Sequence, residues 1–596
     1  MAGIEGGENA ESLLDGSDHQ RIFDAARLPF VALLRRHAHP LIDLSRLLSN
    51  NIRHDVLYCN TLSSHKAGKW PVHFELAAAP DPAGTDLPGD VDSFLGDFLR
   101  LAEADPDRRF AVFEGRETRF GDLERQSAAF AAWCRRHGFG EGSRIAAMMD
   151  THPRYFALLL GIARIGAVWV PVNTRQRGEG LRFVLESAHV DLMVLDPSLV
   201  TCVDEVAPPD LARLVSTAEM GESLDTVLAG PIDGPIENAD VAASDLFAIC
   251  YTSGTTGRPK GVPVTHAMLR FAAEGALRVA DLADDDVLLM WEPLHHIGGA
   301  QLLVVPLLRR VHLAMLPRFS ARGFWEAART AGATHIHYLG GVLQILLKQP
   351  PSAKDREHGV RIAWGGGCPA DIWRAFEERY GVVIRECYGM TETSSIATVN
   401  AERVVGSIGR ALPWFEVELH DPQTGAPAER GEIVIRPKRR EAIFAGYIDE
   451  PEATARTLRD GALHTGDAGQ WLPGGHLRFL GRQTDSVRVK GENVSAWEVE
   501  RVVSAHPEVE DCAVIGVASD VGEADIKLFV QLRQPGTLEP GVLWQWLAPR
   551  LASFQMPRYI AFLDVFPRTA SERIMKHQLD RSVDDCWSVP DRHIHP

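Results

Sequence analysis

Apolar residues recur at helical spacing through DLERQSAAFAAWCRRHG, where Leu123, Phe130, Trp133 and Cys134 share one face and Gly138 follows as a stop signal. The next segments change period. RIAAMM (144–149) and DLMVLD (191–196) are apolar runs of strand length, and YFALLLGIARIGA (155–167) between them reads as an apolar helix. From residue 91 onward helix-like and strand-like segments keep alternating, which predicts an α/β fold. Over roughly the last 110 residues the character shifts. IKLFVQL puts Ile526, Leu528, Val530 and Leu532 on one face, which predicts a half-exposed sheet in a smaller α+β unit. No internal repeat is evident.

Residues 1–90 follow a different pattern. Short apolar pieces (Phe30 to Leu34, Leu44 to Leu48) alternate with His, Pro and Ser, and the segment closes with the Pro/Gly-rich AAAPDPAGTDLPGD. It carries no chemistry-bearing motif and is expected to be an extension of unknown role. After Met1 the next methionine is Met148, so a start at a valine codon such as that of Val91 stays open beside an accessory cap.

A chain of 596 residues is too long for one ordinary core, so several domains are expected. The hydrophobic share of 45% and charged share of 24% are those of a globular protein. With 80 acidic against 62 basic residues the net charge is −18, which argues against binding nucleic acid by general electrostatics but leaves room for a local nucleotide pocket. No window has the uninterrupted apolar length of a membrane span, and the acidic, Gly-rich start lacks the form of a secretory signal. The cysteines at 59, 134, 202, 250, 368, 387, 512 and 586 form no CxxC, which argues against a disulfide framework or zinc site and fits a reducing cytoplasm.

One stretch carries chemistry outright. The apolar run Leu246 to Cys250 leads into YTSGTTGRPKGV (251–262). This is not the GxxxxGK loop of P-loop NTPases, because Lys260 lies three residues beyond the second glycine. Its physics is related: Gly254 and Gly257 permit close backbone approach, Ser253, Thr255 and Thr256 offer hydroxyls, and Lys260 adds a point charge for phosphate oxygens.

The stretch resembles the phosphate-binding loop of the adenylate-forming superfamily, which includes acyl-CoA synthetases, and further segments continue the resemblance in order. PLHHIGG (293–299) is similar to PLFHxxG and places His296 beside the carboxylate pocket, with His295 at the usual aromatic position. WGGGCPA (364–370) resembles the segment that packs on adenine, through Gly367, Cys368 and Pro369. CYGMTETS (387–394) matches YGMTE, which implies Tyr388 on adenine, Thr391 at the α-phosphate and Glu392 on Mg2+. HTGDAG (464–469) supplies Asp467 for the ribose, FLGRQTDSVRVKGENVSAWEVE (479–500) supplies the hinge with Arg482 beside the ribose, and Gly491 matches the glycine of the CoA channel. Singly, His296 reads rather as a core histidine, Glu392 as an exposed helix acid, Asp467 as a turn residue and Arg482 as a surface ion-pair partner. Their joint order over 91 to about 580 carries the resemblance.

The resemblance implies a large multi-subdomain α/β N-terminal domain over 91–482 and a small mobile α+β C-terminal lid domain over 483–596. It implies an enzyme that uses ATP and Mg2+ to turn a small carboxylic acid into an acyl-adenylate, then passes the acyl group to CoA with release of AMP. The loop from Thr252 through Gly257, with Lys260, would hold the β- and γ-phosphates. Two departures stand out. Thr484, followed by Asp485, replaces the usual hinge Asp or Lys. PRTASERIMKHQ (567–578) puts Arg573 where a catalytic lysine is usual, with Lys576 nearby as a substitute. An adenylating ligase with a non-CoA acceptor and a non-catalytic nucleotide-binding homologue therefore remain open. Specificity is expected from His296 and from HIHYLGGVLQILL (335–347), aligned with a pocket helix, with Gly340 and Gly341 leaving room and Tyr338, Trp364 and Cys368 as walls. Trp364 either stacks on a flat aromatic acid or fills space. The sequence leaves the acid and the oligomeric state undetermined.

Overall fold

The helical stripe around Phe130 folds as α1 (Phe120–Arg136), opened by an Arg119 N–H bond to the Asp122 carboxylate (3.0 Å) and followed by Gly138 at φ 82°. The apolar run after it folds as α2 (Pro153–Arg164), with Pro153 in the first turn, where no amide donor is lost. Gly161 is needed there: a Cβ on it would lie 2.7 Å from the Phe130 ring, so only glycine lets α1 and α2 pack this closely. The computed structural model describes residues 92–589 apart from 233, 235–236, 253–258, 340, 484–485, 490–491, 520–523 and 569–573. The expectation for the 1–90 extension lies outside the described residues.

Among the described residues the large domain holds two main sheets. The hairpin β1 (Arg109–Phe113) and β2 (Arg116–Arg119) comes first, followed by β3 (Arg144–Met148), β4 (Val168–Pro171), β5 (Leu192–Leu195), β6 (Ala212–Val215), β7 (Leu246–Thr252) and β8 (Lys260–Thr265). Strands β3 to β8 form one sheet in the order β6-β5-β3-β4-β7-β8, parallel except for the closing hairpin β7–β8. The second sheet uses β9 (Val287–Met290), β10 (His312–Met315), β11 (His335–Leu339), β12 (Ile362–Gly366), β13 (Val383–Tyr388), β14 (Thr398–Val399) and β15 (Arg410–Ala411). Its order is β15-β14-β13-β12-β11-β9-β10-β1-β2, with a parallel centre from β13 to β1. One apolar cluster draws on both sheets, including Ile145, Trp169 and Phe247 of the first and Phe110, Leu288 and Leu313 of the second.

Because β9, β11, β12 and β13 run parallel, their carboxyl ends share one edge. The loops leaving that edge carry Trp291 to His296, Gly341, Gly367 to Pro369 and Tyr388 to Glu392, the place where open α/β sheets bind ligands. A smaller antiparallel sheet follows, built from β16 (Phe415–His420), β17 (Arg430–Pro437), β18 (Leu458–Arg459), β19 (Ala462–Leu472) and β20 (His476–Arg482).

The C-terminal part has its own core. The hairpin β21 (Ser486–Val489) and β22 (Glu492–Ser495) precedes β23 (Val509–Ala518), β24 (Ala524–Leu532), β25 (Tyr559–Phe562) and β26 (Trp587–Ser588), the last four forming a sheet in that order. The half-exposed strand expected at 526–532 is corrected here. Ile526, Leu528 and Val530 face one cluster with Val499 and Leu543, but Phe529 on the other face packs with Ile515, Phe566 and Leu579. Phe566, Ile574, Leu579 and Val583 cover that second face, and even Lys527 is only 3% exposed, its Nζ donating to the Asp580 (3.0 Å) and Ser582 carbonyls. Among the described residues no helix is long and apolar enough to cross a membrane.

Candidate active site

The ladder between β19 and β20 sets Asp467 directly opposite Arg482. Arg482 Nε lies 3.1 Å from Asp467 Oδ1, and Tyr388, arriving at the end of β13, donates its hydroxyl to Oδ2 at 2.6 Å. The carboxylate is 3% exposed, whereas 40% of the Arg482 side chain remains in contact with solvent. Burial, then the charge of Asp467, raises the Tyr388 phenol well above its ordinary range, so it stays a donor. An oriented carboxylate held this way can accept bonds from a vicinal pair of hydroxyls.

Glu392 sits on the short 3-10 turn Thr391–Thr393 just after β13 and is 7% exposed. The Tyr447 hydroxyl donates to its Oε1 at 2.8 Å, and Lys260 Nζ lies 4.9 Å from the centre of the Tyr447 ring, within cation–π range. Burial raises the Glu392 carboxyl above its ordinary value, while the Tyr447 bond and the charges of Arg482 and Lys260 act against burial. Arg482 thus acts on both carboxylates, and Lys260, Glu392, Tyr388 and Asp467 belong to one site. Thr252 ends β7 directly across the hairpin from Lys260. Ser253, Gly254, Thr255, Thr256 and Gly257 lie outside the described residues.

A buried carboxylate with one oxygen taken by a phenol suits a cation that receives its remaining ligands from phosphate oxygens and water, as Mg2+ does. Among the described residues no group of three or more His, Cys, Asp or Glu could hold a metal by itself.

The turn after β12 is organised by a residue that motif reading missed. Glu386, fully inside β13, accepts from the Gly367 N–H at 2.6 Å, from the Cys368 N–H at 3.1 Å and from the Tyr338 hydroxyl at 2.6 Å. Burial pushes its carboxyl up to about 8, against the pull of those bonds. Gly365 is required beside it, since a Cβ there would come 1.8 Å from the Tyr338 carbonyl oxygen. Pro369 then caps the helix that starts at Ala370, following Gly367 and Cys368.

His296 caps the short helix α3 (Ile297–Ala300), its carbonyl accepting from Gly299 and Ala300 N–H groups. His295 is half-buried, and desolvation followed by the charges of His296 and Arg175 lowers its imidazole to about 3, so that ring is neutral. The segment 335–347 is not one helix: His335 to Leu339 is β11, and only Val342–Leu347 forms a helix, α4, ahead of α5 (Ala370–Tyr380). Two expected walls are interior instead. Tyr338 is fully buried with its hydroxyl on Glu386, and Trp364 is 1% exposed and packed 4.2 Å from the His337 ring, so it fills space.

Lys576 is not brought to this cluster. Its Nζ pairs with Glu500 Oε1 at 2.8 Å, on α6 (Ala496–Ser504), whose carboxylate also accepts from Val514 N–H at 2.6 Å. Arg573 and Gly491 lie outside the described residues. Glu386 and Tyr447 left a faint signal in sequence: an acid within the apolar run before YGMTE, and a tyrosine in FAGYIDEP. Neither named its partner.

Comparison with known proteins places these features. The family model described as AMP-binding enzyme matches residues 98–448, and AMP-binding enzyme C-terminal domain matches 498–573. A crotonobetaine/carnitine–CoA ligase of Salmonella typhi is 32% identical over 467 residues, spanning 74% of this chain and 89% of the relative. Among solved structures, ATP-bound MatB from Rhodopseudomonas palustris superposes with a TM-score of 0.73 at 29% identity, covering 82% of this chain and 98% of that one. An o-succinylbenzoate CoA synthetase of Bacillus subtilis, bound to its acyl-adenylate, gives a TM-score of 0.73 at 23% identity over 83% and 99% of the two chains, a likeness of fold.

Proposed function

Because this chain belongs to the AMP-binding enzyme family and is an AMP-forming acid–CoA ligase, we propose that Lys260, Glu392, Asp467 and Arg482 hold MgATP while a carboxylic acid attacks its α-phosphate. The observation that carries this reading is the convergence of two buried carboxylates, each bound by a tyrosine hydroxyl, around the single Arg482 guanidinium.

Asp467 accepts the ribose hydroxyls, with Arg482 alongside and Tyr388 beneath the base. Gly367, Cys368 and Pro369 form the opposite wall for adenine. Bound Mg2+ would supply positive charge for the phosphate oxygens. Lys260 and the loop from Thr252 to Gly257 bind the outer phosphates, Thr391 lies next to the α-phosphate, and His296 borders the acid. In the first step the substrate carboxylate oxygen bonds to the α-phosphorus as the bond to pyrophosphate breaks. The residues position and neutralise rather than form covalent bonds. In the second, the CoA thiol gives its proton to solvent and attacks the acyl carbonyl, and AMP leaves. Arg573 takes the place of the usual lysine in adenylation. Its fork keeps the charge in a bulkier form. Lys576 could replace it only by breaking its pair with Glu500.

The test is a panel of carboxylic acids with ATP and Mg2+, with and without CoA, read by mass spectrometry. AMP together with an acyl-CoA is the expected result. AMP that forms equally without CoA would move the acceptor elsewhere, and no AMP from any acid would refute adenylation.

A further inference from the structure

Beside His296 lies a buried acid–base pair for which the adenylation steps have no use. β9 runs out into Trp291 and Glu292, and the neighbouring strand β11 carries His337. Glu292 is 1% exposed. Its Oε1 is hydrogen-bonded to His337 Nδ1, and its Oε2 accepts from the Trp291 N–H at 3.1 Å. The Trp291 indole N–H donates in turn to the His337 carbonyl at 3.0 Å, and the Trp364 ring lies 4.2 Å from the imidazole. The ring is thereby fixed along one edge and over one face.

What remains of the ring is its Cε1–Nε2 edge. Among the described residues the hydrogen bond of this ring is made through Nδ1. A Cβ placed on Gly298 would meet only His337 Cε1, at 3.9 Å. Protein atoms therefore leave room alongside this edge, two residues from His296. Burying a carboxylate to orient an imidazole is costly, and the cost has no return in packing alone. A site built to hydrogen-bond a substrate group discriminates strongly against analogues lacking it.

We infer that His337, held by the positioning residue Glu292, selects carboxylic acids that carry a hydrogen-bonding oxygen away from the reacting carboxyl: a hydroxyl, an oxo group or a second carboxylate. This rests on the ligase reading for the location of the acid. A plain hydrocarbon acid leaves Nε2 unpaired and is the poorer substrate.

Two matched sets test it: butanoate against 4-hydroxybutanoate and butanedioate, and benzoate against 3-hydroxybenzoate. Binding is measured by calorimetry with AMP present, and turnover as AMP release with ATP and CoA. The wild-type chain is expected to favour an oxygen-bearing member of at least one set tenfold or more in both. His337→Phe abolishes that preference. Glu292→Gln reduces it several-fold through KM, with kcat within twofold. Gly298→Val, which caps the imidazole edge while leaving the pair intact, abolishes it without depending on a buried substitution. A wild-type ratio near one in both sets, no binding of any oxygen-bearing acid, or a preference unchanged in His337→Phe and Gly298→Val overturns the inference. Preferential binding without AMP release refutes the ligase reading alone, and AMP release without preference refutes this inference alone.

Discussion

Glu392 was taken out of water by the fold, and its raised carboxyl reflects that cost. Glu392→Gln keeps the shape and the Tyr447 contact but removes the charge. AMP formation should fall by about a hundredfold or more, roughly 3 kcal/mol of transition-state stabilisation, while the melting temperature holds or rises. Unchanged turnover in Glu392→Gln would remove the carboxylate from the reaction. Tyr388→Phe deletes the 2.6 Å bond to Asp467. Its expected effect is an increase in KM for ATP of about tenfold, the value of roughly one buried hydrogen bond to a charged group, with kcat little changed in steady-state kinetics. Glu386 makes a different prediction. Its carboxyl ionises near 8 in the folded chain against an ordinary value of 4.5, so between those values the native state holds a proton that the unfolded state has lost. Stability from this group is thus greatest below about pH 4.5 and declines as pH rises towards 8, by at most about 1.4 kcal/mol per pH unit. Glu386→Gln should flatten that slope in melts taken across the range. Parallel slopes for the two chains would show that Glu386 ionises normally.

At the scale of elements, β24 departs furthest from its pattern. Alternation marks a strand with one wet face, yet both faces are dry because Phe566, Ile574, Leu579 and Val583 pack over the second. Lys527 anchors that return through the Asp580 and Ser582 carbonyls. Lys527→Ala should cost about 2–4 kcal/mol through a cavity and unpaired carbonyls. Hydrogen exchange should quicken through β23 and β24 while β3 to β5 keep their protection. Protection unchanged in β24 would mean the segment around Asp580 and Ser582 holds without the lysine. The two segments around α4 teach the same lesson in reverse. A run read as one helix divides into strand and helix because β11 has partners on both sides, β9 and β12.

Across the whole molecule, Lys348 at the end of α4 reaches the C-terminal part: its Nζ donates to the Glu510 carbonyl at 3.0 Å and to that of Val509 at 3.4 Å. Burial lowers its ammonium pKa, the mark of a lysine partly withdrawn from water for this contact. Lys348→Met should free β23 at this point by about 1 kcal/mol, roughly a fivefold loss of protection at residues 509–512 in hydrogen exchange. Exchange at β12 and β13 should be unaffected. The result would show whether this contact holds the C-terminal part in place.

The sequence by itself determined the α/β alternation, the glycine-rich strand exits and the ordered motifs from the 252–261 loop to Arg482. These are local: each depends on residues within a few positions of one another, which set period, turn and backbone reach. Which groups meet was decided by tertiary structure. Glu386 and Tyr338 are 48 positions apart, Glu392 and Tyr447 are 55, and Tyr388 and Asp467 are 79. Trp364 and Tyr338 read as pocket walls because size and position allowed it, and became interior because neighbouring strands and Glu386 enclose them. Periodicity shows that a face is apolar, but only the folded chain shows what covers it, and burial by distant segments is what turns an ordinary carboxylate into an oriented, perturbed one.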